Sequence, residues 1–298
     1  MPFFRRPQDL THAIARPAVS DDITAVSRLL RESAHRFLGT ASAELPALIG
    51  TAPACLLFRG GDVWGAAVAG WPVDDTSWVR ALALADGVAT GEGVDALLSQ
   101  LFDQLHGQGV QRLFYAGDVG ADAWIQPLLL DRGWQHHTDV VVYEKIGYAV
   151  PDSGNAQVRV RQAQPADLRA ILALDRLSFD AQWVKDGSVI APAIVEQPFF
   201  VVAEQAGLPV GYAFATGHFN GRLMHLVRIA VDPAARGQGI GVRLMAEVVG
   251  YARQSNADSL TLNTQQENRA AQRLYEWFGF RRTGESQRVL RRDLAGVA

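Results

Sequence analysis

A glycine-rich turn constrains this chain more strongly than any other part of its sequence. The turn reads Arg236-Gly237-Gln238-Gly239-Ile240-Gly241, follows an apolar run at 226–231 and leads into a helical pattern of apolar residues from position 244. A strand that feeds such a turn and then a helix leaves backbone N–H groups unpaired at the positive end of the helix dipole. Glycine lets a phosphate approach those amides closely, and Arg236 adds a permanent positive charge. The pattern predicts a pyrophosphate-binding turn.

The glycine spacing argues against two common nucleotide sites. It lacks the further glycine and ribose-binding acid of the dinucleotide fingerprint, and the Gly-Lys-Ser/Thr ending of a nucleoside-triphosphate loop. A second block runs from Asn263 to Asn268 and continues as Leu274-Tyr275-Glu276-Trp277-Phe278-Gly279-Phe280. Together the blocks resemble the acyl-CoA-binding motifs of the GNAT superfamily of N-acetyltransferases, a Q/R-x-x-G-x-G/A loop and an Asn…Tyr…Gly-Phe helix. The resemblance covers roughly residues 158–293.

The resemblance implies acetyl-CoA as the co-substrate. In this family the strands before and after the loop splay apart, and the pantetheine arm pairs with the backbone of the first strand, here at Ile229 and Val231. Ile229 and Val231 can also be alternate core positions, and the two roles are compatible. A helix cap is as good an explanation of Asn268 as a ligand contact. The residues implied in acetyl-CoA binding are Ile229, Ala230, Val231, Arg236, Gly237, Gln238, Gly239, Ile240, Gly241 and Asn268.

The resemblance also suggests acid–base groups. Tyr275 occupies the position of the family's tyrosine, whose phenol stays protonated at neutral pH and can protonate the departing thiolate. The alternative is an aromatic residue that only packs. His225, or else His218, is the candidate base, although an amine that arrives neutral needs none. The acceptor is expected to lie between two segments. One is the irregular segment 179–195, which contains Trp183, and the other is the connection that contains His218 and Phe219.

The chain contains the same unit twice. Gly93 and Gly239 are 146 positions apart, as are Gly133 and Gly279, and similar residues lie between these anchors. We therefore predict an α/β protein with two tandem GNAT-like domains, each a mixed, mainly antiparallel sheet with flanking helices. The first domain is expected at 1–148, a linker at 149–157, where Pro151 to Asn155 form a cluster of helix and strand breakers, and the catalytic domain at 158–298.

The first copy departs from the motifs where the chemistry should be. Thr90 stands in the place of the loop arginine, Asp95 replaces the last loop glycine, and Leu129 replaces the helix tyrosine. Asp95 is expected to cap its helix, where its charge would repel a phosphate. Pro127 is expected to shorten the helix that follows. The first domain is therefore predicted to have lost acyl-CoA chemistry.

Composition and charge limit the other possibilities. The chain has 298 residues and a net charge of −3, which favours no nucleic-acid partner. Residues 1–7 lack the apolar core of a secretory signal, and no run is long enough to span a membrane. The lone Cys55 is typical of a reducing compartment, so a cytoplasmic location is expected. The adjacent His136 and His137 lack partners at metal-ligand spacing, so no metal is expected. The oligomeric state is left open between monomer and homodimer.

These observations lead to one hypothesis and one alternative. The first is an acetyl-CoA-dependent N-acetyltransferase that moves the acetyl group to a primary amine by direct attack in a ternary complex. The acceptor is a small molecule or a peptide N-terminus. The alternative is a non-catalytic acyl-CoA-binding sensor or scaffold, for which the intact Arg236 turn alone would suffice.

Overall fold

A computed structural model describes residues 10–294, which form two compact units. The first unit contains the described residues up to Asp139 together with those from Gln287 onward, and the second runs from Val140 to Ser286. These bounds differ from the predicted 1–148 and 158–298 because two long strands each pass from one unit into the other. The predicted linker at 149–157 lies inside the second unit. The prediction about residues 1–7 falls outside the described residues.

The elements of both units follow in chain order. The first unit has β1 (Ile14–Pro17), α1 (Ile23–Glu32), β2 (His35–Leu38), α2 (Leu45–Thr51), β3 (Ala54–Arg59), β4 (Asp62–Ala69), β5 (Thr76–Leu84), α3 (Thr90–Gly107), β6 (Arg112–Asp118), α4 (Gln126–Asp131) and the start of β7 (Gln135–Ile146). The second has the end of β7, then β8 (Arg159–Gln162), α5 (Leu168–Ser178), α6 (Gly187–Glu196), β9 (Phe199–Gln205), β10 (Leu208–His218), β11 (Leu223–Val231), α7 (Ile240–Gln254), β12 (Ser259–Gln265), α8 (Arg269–Trp277) and the start of β13 (Arg281–Asp293).

Each unit is built on a mixed sheet. In the first unit the strand order is β1-β3-β4-β5-β6 followed by the end of β13, and in the second it is the end of β7 followed by β12-β11-β10-β9-β8. The pairs β5–β6 and β11–β12 are parallel, and the other described pairs within these sheets are antiparallel. This arrangement confirms the predicted fold class.

Helices cover both faces of the second sheet. In β9, Phe199 and Val201 join a hydrophobic cluster with Val248 of α7, whereas Phe200 and Val202 pack in another with residues of α5 and α6. Successive side chains of a strand point to opposite faces, so this alternation gives the sheet two apolar sides. The first unit has two corresponding clusters, one of which contains residues of α3 and the other residues of α1 and α2.

One predicted segment has a different structure. Residues 179–195 were expected to be irregular, but α6 begins at Gly187, and the Asp186 carboxylate accepts a hydrogen bond from the Ser188 amide as its N-cap. Pro192 lies inside this helix. Proline and glycine are poor helix formers, so local sequence argues against a helix here. Burial of Ile190 and Ala193 in the cluster with α5 supplies the stabilisation that the local preferences lack.

The glycine turn exists only in the second unit. There α7 begins at Ile240, after Gly237 and Gly239 adopt left-handed φ values of 79° and 74°. In the first unit α3 already begins at Thr90, and the Gly93 amide donates to the Ala89 carbonyl at 2.9 Å. The amides of Gly239, Ile240 and Gly241, which are free in the second unit, therefore correspond to amides that an additional helical turn uses in the first unit.

The expected role of Asp95 as a helix cap is wrong. The N-cap of α3 is Ala89, and Asp95 lies in the helix, where its carboxylate accepts two hydrogen bonds from the Arg132 guanidinium. Arg132 also donates to the Gly91 carbonyl at 2.9 Å. The early start of α3 accounts for this difference, because it moves the free end of the helix away from Asp95. Helix α4 contains six residues and α8 nine, in line with the expected effect of Pro127.

The two parallel strand pairs separate part of the way along their length. Pairing of β11 with β12 ends at Leu226 and Leu262, and that of β5 with β6 ends at Trp78 and Phe114. Beyond these points one edge of β11 has no partner strand among the described residues. We call this edge, at 227–231, the open edge.

In the first unit the corresponding edge of β5 is occupied by β2. Strand β5 has a bulge at Arg80, and its counterpart β11 has one at Val227. When the two strands are superposed at these bulges, Leu82 and Leu84 correspond to Ile229 and Val231. Strand β2 pairs antiparallel with this stretch, with Phe37 opposite Leu82 and His35 opposite Leu84.

The β2 strand also fills the space beside that edge. The Phe37 ring is buried and lies against the Tyr115 ring on β6, with centroids 4.7 Å apart. The chain itself therefore closes the gap between β5 and β6 that remains open between β11 and β12.

This difference predicts distinct amide exchange in the ligand-free protein. The amides of Leu82 and Leu84 are bonded to β2 and should exchange slowly. Those of Ile229 and Val231 face the open edge and should exchange faster, because unpaired amides lack protection. Hydrogen–deuterium exchange read at single residues measures both sets.

Neighbouring amides provide the control. Ala83 and Ala230 face the inner strands β4 and β10, so both should be protected. Equal protection of Leu82 and Ile229 would contradict the description of the two edges.

Candidate functional site

A cavity of about 760 Å³ lies in the second unit, between β11 and β12 where their pairing ends. The glycine turn and the start of α7 border it, as do α8 and the end of α5. Its lining includes ten of the residues predicted from the sequence, namely Ile229, Ala230, Val231, Arg236, Gly237, Gly239, Ile240, Gly241, Asn268 and Tyr275. Gln238 is not among the lining residues, and its side-chain oxygen accepts a hydrogen bond from Gln205 at 3.2 Å.

The glycine turn presents free donors to this cavity. Within residues 10–294, the amides from Gly237 to Gly241 form no hydrogen bond. They lie at the N-terminus of α7, a helix of 15 residues whose dipole adds positive potential. Arg236 is exposed and has no ion-pair partner in the described part of the chain. An anion such as a pyrophosphate fits this set of donors.

The open edge supplies a second set of backbone groups. The Asp232 amide donates to the Val210 carbonyl at 2.9 Å. Because backbone groups alternate in direction along a strand, the N–H and C=O of Ala230 face β10, whereas those of Ile229 and Val231 face the cavity. The Ser178 hydroxyl donates to the Val231 carbonyl at 3.3 Å. An extended, amide-containing chain could pair with this edge as an added strand does.

Tyr275 borders the cavity from α8 with only 5% of its surface exposed. Its ring packs against Tyr143 and Phe280, with centroids 6.1 Å away in each case. Burial, with a smaller contribution from Tyr143, raises the pKa of the Tyr275 phenol above its usual value. The hydroxyl is therefore protonated at neutral pH and can act as a donor.

Asn268 caps helix α8. Its side-chain oxygen accepts a hydrogen bond from the Ala271 amide at 3.2 Å. The side-chain NH₂ group has no hydrogen-bond partner in residues 10–294 and remains available to the cavity. The cap and a ligand contact are thus compatible with each other.

The predicted base and acceptor residues do not line the cavity. His225 Nδ1 lies 3.0 Å from the Thr261 hydroxyl, and burial lowers the pKa of the imidazole to about 4, with smaller contributions from the charges of His218 and Lys185. His218 Nε2 lies 2.9 Å from the Thr216 hydroxyl. Phe219, at the tip of the β10–β11 connection, is 76% exposed.

Sequence reasoning did not identify a buried ionic cluster beside the cavity. Asp175 is fully buried, and its carboxylate accepts two hydrogen bonds from Arg228, both at 2.8 Å, and one each from the Tyr212 hydroxyl and the Lys185 amide. A buried charge is tolerated only when it is paired and hydrogen-bonded in this way. The available signal was an acidic residue one turn after Ile171 on the apolar face of α5.

The cluster connects β11 with the segment predicted to contact the acceptor. The Arg228 guanidinium lies 3.5 Å from the centre of the Phe179 ring and donates to the Trp183 carbonyl. Arg228, Phe179 and Ser178 all line the cavity. Trp183 is therefore held at the site through its backbone, whereas its side chain was expected to be the contact.

Two other kinds of site, a metal centre and a reactive thiol, are not formed by the described residues. The described residues include no cluster of His, Cys, Asp or Glu able to hold a metal ion. No helix within 10–294 has the length and apolar character needed to cross a membrane. Cys55 is buried, and burial raises the pKa of its thiol to about 12, which keeps it in the unreactive thiol form.

Comparisons with known proteins agree with the motifs and the fold. Residues 168–280 match the model of the acetyltransferase (GNAT) family. The chain is 29% identical to thialysine N-epsilon-acetyltransferase of Mus musculus over 167 residues, 45% of this chain and 98% of that protein. It is 32% identical to mycothiol acetyltransferase of Thermobispora bispora over 139 residues, 42% of this chain and 47% of that protein.

A solved tandem structure extends the fold comparison to nearly the whole chain. The tandem GNAT protein from the clavulanic acid biosynthesis pathway aligns with a TM-score of 0.63 and 13% identity, over 96% of this chain and 100% of that one. Residues 168–280 therefore carry a GNAT-family acetyltransferase domain, which makes the protein an acyltransferase, and the chain as a whole has the fold of a tandem GNAT protein. Proteins of this family use acetyl-CoA.

His225 makes stability depend on pH. Its pKa is about 4 when folded and about 6.5 when unfolded, so the unfolded chain binds more protons between these values and stability falls with falling pH. Relative to a variant such as His225→Asn, the wild type should lose about 2 kcal/mol between pH 7 and pH 5. Urea unfolding at both pH values measures this difference.

His106→Asn, which removes an exposed histidine of α3, is the control and should retain the pH dependence of the wild type. The prediction would be contradicted if the difference in unfolding free energy between wild type and His225→Asn were the same at both pH values.

Proposed function

We propose that the second unit transfers the acetyl group of acetyl-CoA to a primary amine by direct attack in a ternary complex. One observation carries the proposal: a single cavity is lined by the glycine turn with its free amides, the open edge of β11 and Tyr275. These three parts correspond to the pyrophosphate, the amide-containing arm and the thioester end of acetyl-CoA.

The binding roles follow from the chemistry of each part. The amides from Gly237 to Gly241 and the Arg236 guanidinium bind the pyrophosphate, with Gln238 contributing through its backbone. The backbone of Ile229, Ala230 and Val231 forms the wall on which the arm pairs. Asn268 donates from its free NH₂ group.

The reaction requires a balanced proton transfer. The amine nitrogen forms a bond to the thioester carbonyl carbon, the carbon–sulfur bond breaks, and the thiolate takes a proton from Tyr275. The attacking nitrogen loses one proton to His225 through water. Because its pKa is near 4, His225 is neutral but a weak acceptor, so this step matters least for an amine that arrives neutral.

The acceptor is proposed to enter from the side of Trp183, His218 and Phe219. The Asp175–Arg228 pair fixes the backbone of Trp183 there. The relatives above are named for thialysine and mycothiol, which makes small amines the first acceptors to screen, with peptide N-termini as the second group.

The first unit is proposed to contribute no acyl-CoA site. Strand β2 occupies the edge on which an arm would pair, and the turn that would hold a pyrophosphate is helical. Leu129 offers no proton where Tyr275 does.

Calorimetric titration with acetyl-CoA, followed by an acceptor screen that detects released thiol, tests the proposal. We expect one site per chain and thiol release with at least one amine. Binding without turnover for any amine would favour a sensor or scaffold instead. Absence of binding would overturn the proposal, and two sites would contradict the assignment of the first unit.

Arg236→Ala should weaken acetyl-CoA binding about 10- to 100-fold. A hydrogen bond to a charged group is worth about 1.5–3 kcal/mol, and that of Arg236 is lost. The dissociation constant from calorimetry measures the effect. Arg253→Ala, at the exposed far end of α7, removes the same charge and should change the constant little. Equal affinities for Arg236→Ala and the wild type would exclude the pyrophosphate role.

Tyr275→Phe should lower kcat about 100-fold, the lower end of the range for general acid help. The dissociation constant of acetyl-CoA should stay within about twofold, because the ring and its packing are retained. Steady-state kinetics with an acceptor from the screen gives kcat. Tyr251→Phe, a tyrosine of α7 that does not line the cavity, is the matched control. Unchanged turnover in Tyr275→Phe would remove the acid role and leave the transferase assignment intact.

A further inference from the structure

The segment at 151–157 packs directly on the glycine turn of the second unit. Gly154 has a left-handed φ of 75°, and a Cβ there would lie 2.3 Å from the Arg243 amide nitrogen and 2.8 Å from the Gly239 carbonyl oxygen. A side chain at this position would displace the start of α7 or the turn itself. The close approach brings the next residue, Asn155, against the turn.

Asn155 binds two consecutive carbonyls of the turn. Its side-chain NH₂ donates to the Gln238 carbonyl at 2.8 Å, and its backbone amide donates to the Gly239 carbonyl at 3.3 Å. The Asn155 side-chain oxygen accepts a hydrogen bond from the Gln157 amide at 2.8 Å, which fixes the orientation of the side chain.

These bonds determine where the next two amides point. In a planar trans peptide the C=O and the following N–H point in opposite directions. With the Gln238 and Gly239 carbonyls directed at Asn155, the amides of Gly239 and Ile240 point away from it. Gly239 and Ile240 line the cavity, and neither amide is hydrogen-bonded within residues 10–294.

We infer that Asn155 is a positioning residue for the pyrophosphate of acyl-CoA. It touches no part of the ligand, and acts by holding two peptide planes of the glycine turn so that their N–H groups are oriented before the ligand arrives. Glycine residues would otherwise let these planes rotate, and the entropy of ordering them would oppose binding. The inference rests on the proposed function.

The test compares a donor that contains a pyrophosphate with one that lacks it. Acetyl-CoA and S-acetylpantetheine share the acetyl group and the arm, but only acetyl-CoA reaches the glycine turn. For Asn155→Ala we expect the dissociation constant of acetyl-CoA to rise about 3- to 10-fold, the effect of one oriented hydrogen bond. The dissociation constant of S-acetylpantetheine, measured by NMR titration at millimolar concentration, should be the same in this variant as in the wild type.

Gln157→Ala is the matched control in the same segment. It keeps the Gln157 backbone amide that donates to Asn155, and the exposed side chain that it removes has no hydrogen bond within residues 10–294, so this variant should bind both donors as the wild type does. If Asn155→Ala does not fold, Asn155→Ser provides the second test. It keeps an uncharged side chain with an acceptor oxygen, is too short to donate to the Gln238 carbonyl, and should show the same selective loss.

The outcomes separate this inference from the function on which it rests. A wild type that fails to bind acetyl-CoA would overturn both. If the wild type binds acetyl-CoA, two results would overturn only the positioning role. One is an unchanged dissociation constant of acetyl-CoA in Asn155→Ala. The other is equal weakening of both donors in that variant, since a general structural defect affects both ligands alike.

Discussion

The separation of two parallel strands is the constraint on which the site depends. Strands β11 and β12 pair as far as Leu226 and Leu262 and then part, so that β11 has a partner on one side only. The N–H and C=O groups along this edge need a hydrogen-bond partner other than a strand, and an extended ligand can supply it. The cavity, the glycine turn at its end and Tyr275 at its wall all lie around this edge. In the first unit the same requirement is met by β2, which changes the edge from a ligand site into ordinary sheet.

The sequence predicted those parts of the site whose chemistry is local. The glycine turn, the strand before it and Tyr275 lie in short motifs, and their residues line one cavity. The Asp175–Arg228 pair could not be predicted, because 53 positions separate the two residues and only the packing of α5 on β11 brings them together. Strand β2 was missed for a related reason: four residues with one buried side chain carry too little pattern to indicate a partner strand. The role of Asp95 was misread because the start of α3 depends on which glycines leave the helical conformation, and sequence identity alone does not determine that.

Backbone conformation, more than side-chain identity, distinguishes the two units. Gly91 and Gly93 are present in the first turn of α3 just as Gly237 and Gly239 precede α7, yet only the second pair is left-handed. Gly154 and Asn155 contact this turn at Gln238 and Gly239, from a segment whose composition indicated only a linker. A breaker-rich segment can therefore have a structural role when its glycine allows a close approach and its asparagine supplies a donor.

The two strands that pass between the units determine how this chain can be divided. Residues 140–146 of β7 form an edge strand of the second sheet, and residues 287–293 of β13 pair with β6 in the first. A cut at 149–157, where the repeat suggests a boundary, would leave each fragment without a strand that its sheet requires and with one that belongs to the other sheet. Although the sequence repeats, a single break in the chain there does not separate the two sheets.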